Sequence, residues 1–184
     1  MMNRAFSTFT VKSASDSGVI VGIASTPAAD RVGDEMDPAG ATFTLPMPLL
    51  WQHRHDEPIG HVTEAKVTPA GIEIVARVVR GVDAVADRAW NLIKGGLVRG
   101  LSIGFRPLEQ TRNAIGGMRV RKWAWYELSA VTLPCNEQAT ITAIKAAWHQ
   151  EQQPRARLAN GAVAFDPDIA ARLRAQLARD NWSF

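Results

Sequence analysis

Cysteine, tyrosine and long apolar runs are what this chain has least of. Its 184 residues include one cysteine, Cys135, and one tyrosine, Tyr126. A single thiol excludes an internal disulfide framework and fits a reducing compartment. No apolar run approaches the length needed to cross a bilayer, and the N-terminus lacks the apolar core of a signal peptide, so no membrane partner is expected. A glycine-rich phosphate loop, a Cys-x-x-Cys pair and an internal repeat are also missing, and no cofactor is expected. The net charge is only +3, with the basic excess in the tail and between Arg112 and Lys122. Solvated faces account for that excess better than a nucleic-acid partner does.

What is present is enough apolar sequence for a core. Hydrophobic residues make up 46%, which places the bulk of the chain among globular domains. The character changes after Gln150, where a polar stretch leads to an Ala/Arg/Leu segment with helical spacing from Asp166 to Arg179. The expected organisation is one domain over residues 1–150 and a tail over 151–184.

Within the domain, strands are expected at Phe6–Val11 and Val19–Ala24. The Asp/Gly/Pro-rich segment from Pro27 to Gly40 reads as a long irregular loop. Its Asp30, Asp34 and Asp37 lack calcium-loop spacing and fit Asx turns instead. An apolar run from Leu45 to Trp51 delivers His53 at its end, and Arg54–Pro58 reads as the turn that follows. Ile59–Val67 and Gly71–Val79 alternate as a hairpin. Asp83 caps a helix that runs to Lys94 and ends at Gly95-Gly96. The strand Leu97–Phe105 carries Leu101, Ile103 and Phe105 on one face, and Ser102 and Gly104 on the other. Arg106–Gly117 reads as a polar hairpin tip. Met118 to Leu133 returns as a strand, and Glu137–His149 has helical spacing.

A serine between glycines in a strand is most often a packing or bulge feature. Here the chain also supplies partners for chemistry. A serine hydroxyl is a weak nucleophile until an imidazole takes its proton, and His53 at the end of a buried run is the candidate base. An imidazole needs an acceptor to hold its tautomer. Glu127 closes the aromatic run Lys122-Trp-Ala-Trp-Tyr-Glu127, and a carboxylate buried there must be paired.

These residues stand in an order that resembles a known family. Asp30-x-x-Gly33-Asp34 with Pro38-x-Gly40 is followed by Leu50-Trp-Gln-His53 and Pro58-Ile-Gly60. Gly100-Leu-Ser-Ile-Gly-Phe105 comes next, then Glu127-Leu-Ser-Ala-Val-Thr-Leu-Pro134-Cys-Asn136. Over residues 18–145 this is similar to the HK97-type prohead proteases, the capsid maturation serine proteases of tailed bacteriophages. Arg54 and Cys135 depart from the usual residues without touching a proposed chemical group.

The resemblance implies an α+β, mainly β fold: a closed or near-closed β-barrel of about six or seven strands with surrounding helices, similar to herpesvirus assembly proteases. It implies a serine endopeptidase with Ser102 as nucleophile, His53 as general base and Glu127 as the third member, His55 and His61 being rivals for that last place. The implied partners are the major capsid protein precursor with its scaffold segment, and the protease itself through self-cleavage and a possible homodimer. The implied location is the host cytoplasm, inside the immature capsid. Two other readings remain open at this level: a non-catalytic barrel acting in shell assembly, and a metal hydrolase using His53, His55 and His61 with Asp56.

Overall fold

Alternating and β-branched sequence dominates, and it forms strands throughout. The computed structural model describes residues 10–11 and 17–145. In chain order the elements are β1 (Thr10–Val11), β2 (Val19–Ser25), β3 (Glu35–Met36), β4 (Ala41–Thr42), β5 (Met47–Trp51), β6 (Arg54–Thr68) and β7 (Gly71–Val78). They continue with α1 (Ala84–Lys94), β8 (Gly100–Arg112), β9 (Met118–Val131) and β10 (Thr140–Lys145).

Seven of these strands close into a barrel in the order β2–β7–β6–β5–β9–β8–β10 and back to β2. An odd ring cannot be closed by antiparallel neighbours alone, because strand directions must alternate. One pair has to run parallel, and that pair is β5 with β9, where Leu49, Leu50 and Trp51 lie opposite Leu128, Ser129 and Ala130. The seam between β8 and β10 is narrow. It consists of the Gly100–Thr140 pairing and two flanking bonds, from the Leu101 N–H to the Ala139 carbonyl and from the Ile141 N–H to the Arg99 carbonyl.

The inward residues form one core that includes Ile20, Leu49, Ile74, Leu101, Leu128 and Ile141, all nearly or fully inaccessible. α1 lays Ala86, Ala89, Trp90 and Ile93 onto this body. The Asp83 carboxylate accepts from the Val85 and Ala86 N–H groups at its start, as the sequence predicts.

Four expectations need correction. The helix expected over Glu137–His149 is a turn at Glu137–Gln138 and then a strand from Thr140 to Lys145, residues 146–149 lying outside the described residues. Thr140, Ile141, Thr142 and Ile144 are β-branched, and pairing with β2 and β8 closes the barrel, which outweighs a short helical repeat. The polar tip at Arg106–Gly117 shrinks to Asn113–Gly117, because β8 pairs with β9 as far as Arg112 opposite Met118. The turn expected at Arg54–Pro58 is instead Gln52–His53, since Trp51 already pairs with Arg54. The segment Pro27–Gly40, though largely irregular, contains β3 and a short 3-10 turn at Pro38–Gly40. The Asx turns are present at two of the three positions: Asp30 accepts from the Val32 and Asp34 N–H groups and Asp37 from Ala39, whereas Asp34 instead accepts from the distant Met118 N–H. Of the first strand only Thr10–Val11 is described, and the tail over 151–184 lies outside the described residues.

Candidate active site

Three adjacent strands, β5, β9 and β8, build the site. His53 sits in the tight turn that follows β5, where Gln52 and His53 have φ of 52° and 60°. Two successive residues in the left-handed region are unfavourable for side chains other than glycine and asparagine, and such strain concentrates at functional sites. The turn is pinned to the end of β9. The Gln52 N–H donates to the Ala130 carbonyl (3.1 Å), the Gln52 Nε2 to the Thr132 hydroxyl (3.0 Å), and the His53 N–H to the Ser129 Oγ (3.1 Å).

Glu127 reaches the site because β9 carries a bulge. Gly104 pairs with Glu127, but Phe105 pairs with Trp125, so Tyr126 is an extra residue. In strict alternation Glu127 would share the face of Trp123 and Trp125. The bulge puts the tryptophans into the core and Glu127 on the opposite face with Ser129. The Trp125 indole N–H donates to the Glu127 carbonyl (2.6 Å) and closes the bulge. Edge contacts of Trp125 with Phe43 and of Trp123 with Phe105 pack beneath it.

Glu127 is 6% exposed and fully engaged. Its Oε1 lies 2.7 Å from the His53 Nδ1, and its Oε2 accepts from the Ser129 hydroxyl at 2.8 Å. A carboxylate only accepts, so Nδ1 carries the proton and Nε2 keeps its lone pair. The hydrogen bond to Glu127 raises the His53 pKa above its ordinary 6.5, against a smaller opposing effect of burial.

Ser102 stands directly opposite Ser129 in the β8–β9 ladder, one pair of faces along from Gly104 and Glu127. Opposed residues of this kind are neighbours on one face. The structure therefore brings His53 and Glu127 into contact and sets Ser102 beside them on the same sheet surface. Among the described residues Ser102 makes no hydrogen bond to His53. Such contacts are often loose until substrate binds.

The glycines beside Ser102 leave no open space for a substrate backbone. A Cβ at Gly104 would lie 2.3 Å from the Glu127 Oε1, and one at Gly100 would lie 2.7 Å from the Pro134 Cδ. The protein itself occupies both spaces, so Gly104 is small to admit the Glu127 side chain. Ser129, which joins His53 to Glu127, was missed. Its signal was present, because Glu127 and Ser129 are two apart in one strand and share a face.

The rival histidines fall elsewhere. His55 and His61 are exposed, and neither is bonded to Glu127 among the described residues. His55, Asp56 and Glu57 loop out of the ladder between the Trp51–Arg54 and Leu50–Pro58 pairs. Arg54 pairs there with Asp56 at 3.5 Å and Glu57 at 3.2 Å. Among the described residues no three His, Cys, Asp or Glu side chains converge as metal ligands. No described helix is long and apolar enough to cross a membrane.

The molecule is thus a β-barrel carrying a buried carboxylate bonded to a half-exposed imidazole, beside a strand serine. Residues 21–154 match the family described as caudovirus prohead serine protease, and the chain belongs to that family. It is 54% identical over 151 residues to a capsid polyprotein of Pseudomonas phage PAJU2, covering 78% of this chain and 22% of that protein. The chain thus spans less than a quarter of the polyprotein's length. It is 32% identical over 146 residues to the prohead protease of Escherichia phage T5, covering 73% of this chain and 68% of that one. A solved structure of KSHV protease in complex with a hexapeptide phosphonate inhibitor is similar at a TM-score of 0.45 and 16% identity, over 67% of this chain and 64% of that one.

Proposed function

We propose that the protein is a serine endopeptidase that cleaves the scaffold segment of the major capsid protein precursor, and itself, inside the immature capsid. The observation that carries this reading is the 2.7 Å His53–Glu127 hydrogen bond, held over the strand pair on which Ser102 lies. Family membership supports the substrate class.

In this mechanism Ser102 Oγ attacks the scissile carbonyl while the His53 Nε2 takes its proton. Glu127 orients the ring and stabilises the imidazolium that forms. His53 then gives the proton to the leaving amine, and the acyl-enzyme remains. Water enters, His53 removes its proton, and attack on the ester frees Ser102. Backbone N–H groups near Ser102 are the expected oxyanion donors.

The test is co-expression with the capsid precursor, wild type against Ser102→Ala, read by intact mass. Wild type yields the trimmed capsid protein, and Ser102→Ala leaves the precursor whole, with a loss of at least about a thousandfold and an unchanged circular-dichroism spectrum. Processing at the normal rate by Ser102→Ala overturns the assignment.

A further inference from the structure

Beyond Gly100 the edge of β8 turned away from β9 has no strand partner among the described residues. A cavity of about 180 Å³ lies between this stretch, the end of β2 and the loop around Asp30–Met36, and Ser102 is one of its walls. Leu101, Phe105 and Met36 give it apolar sides. Its polar lining is unusual in two ways, and each points to an occupant.

Ser25, in the wall of the cavity, is 1% exposed, and its hydroxyl has no hydrogen-bond partner. A buried hydroxyl left unpaired is costly, and a polar group entering the cavity removes that cost. The charge is also one-sided. Asp30 and Asp34 line the cavity, and no basic residue does. The Asp30 carboxylate is spent on the Val32 and Asp34 N–H groups and the Cys135 thiol. Asp34 gives one oxygen to the Met118 N–H (2.8 Å), and its other oxygen has no partner among the described residues.

We propose that this cavity is the pocket for the substrate side chain next to the scissile bond, and that it takes lysine or arginine. The inference rests on Ser102 being the nucleophile, which puts the pocket beside the reacting carbon. An apolar stem lies along Met36, Leu101 and Phe105, and a cationic tip satisfies Asp34 and Ser25 together. An aliphatic side chain leaves both polar groups unmet, and an acidic one is repelled.

The test uses the full chain and a peptide library cut from a proteome by a glutamyl endopeptidase, with products read by mass spectrometry. Lysine or arginine is expected to dominate one position flanking the cut. Asp34→Asn keeps the acceptor for the Met118 N–H and so keeps the loop. It should lower kcat/KM on those peptides by about tenfold or more while sparing peptides with glutamine at that position. Dominance of an aliphatic or acidic residue there, or an equal loss on both peptide sets, overturns the pocket assignment.

Absence of cleavage by wild type, or cleavage that survives Ser102→Ala, overturns the nucleophile instead. The pocket is then read on 15N-labelled Ser102→Ala protein titrated with n-butylammonium and with n-butanol. Amide shifts at Ser25, Asp34 and Leu101 with the ammonium alone keep a cation pocket. Equal shifts with both, or none, remove it.

Discussion

Glu127 and Glu109 make a controlled comparison. Both carboxylates lie on the β8–β9 hairpin, and both sit within 2.8 Å of a basic nitrogen, Glu127 at His53 and Glu109 at Lys122. Their surroundings differ in every other way. Glu109 is exposed at the far end, and its Lys122 partner lowers its pKa in the ordinary manner of a surface pair. Such a pair is weak, because water and salt screen it and two flexible side chains must be held in place. Glu127 is buried, fixed by a bulge, by Ser129 and by the vacancy at Gly104. Distance alone therefore says little about what a charge pair does; burial and the neighbours that hold it decide.

Glu127→Gln should break the contrast most. The amide NH2 can turn toward Nδ1 and favour the wrong tautomer, and the rate should fall roughly a hundred- to ten-thousandfold in kcat/KM. The same variant sharpens the pH argument. In wild type the activity should rise with pH through a midpoint above 6.5, since His53 must lose its proton to act as base. Glu127→Gln should move the midpoint down toward the ordinary imidazole value. The stability contribution has the opposite sign. The folded pKa of His53 is raised, so the ion pair contributes fully below about 6.5 and is lost as pH rises through the folded value. Thermal melts against pH should show Tm falling over the window in which activity climbs.

Gly104→Ala tests whether the vacancy is what seats Glu127. The added Cβ meets the carboxylate and its Cγ at 2.3 and 2.6 Å, so Glu127 must leave its place. We expect a loss of about 1–3 kcal/mol in urea unfolding, together with a fall in activity near that of Glu127→Gln. Ser129→Ala is milder in activity and comparable in stability. It strips one partner each from the His53 N–H and the Glu127 Oε2, and should cost about 1–3 kcal/mol with a smaller fall in kcat/KM. Glu109→Gln should change neither activity nor Tm measurably. A large effect there would end the comparison.

Much of the local structure was legible. The β6–β7 hairpin, the Asp83-capped α1 and the Asx turns of Asp30 and Asp37 follow from alternation, helical spacing and short-range side-chain bonds, all properties of neighbours in sequence. The same locality misled at Thr140–Lys145, where the decisive partners, β2 and β8, are remote in the chain. His53 and Glu127 could be nominated because each ends an apolar run, and Ser102 because it is a hydroxyl set between glycines in an apolar strand. Ser129 shares a strand face with Glu127, which the sequence carries, but its bond from the His53 N–H exists only where the turn after β5 meets β9.

The sequence by itself determined most of the strands, where the helix starts, and which side chains carry usable chemistry, because propensity, patterning and acid–base character belong to residues and near neighbours. The tertiary structure alone decided the rest. A ring of seven strands must contain one parallel pair, and that pair brings the end of β5 beside β9. One extra residue, Tyr126, turns Glu127 to the outer face, and a missing side chain at Gly104 makes space for it. Those are consequences of closure and register, which no short stretch of sequence contains.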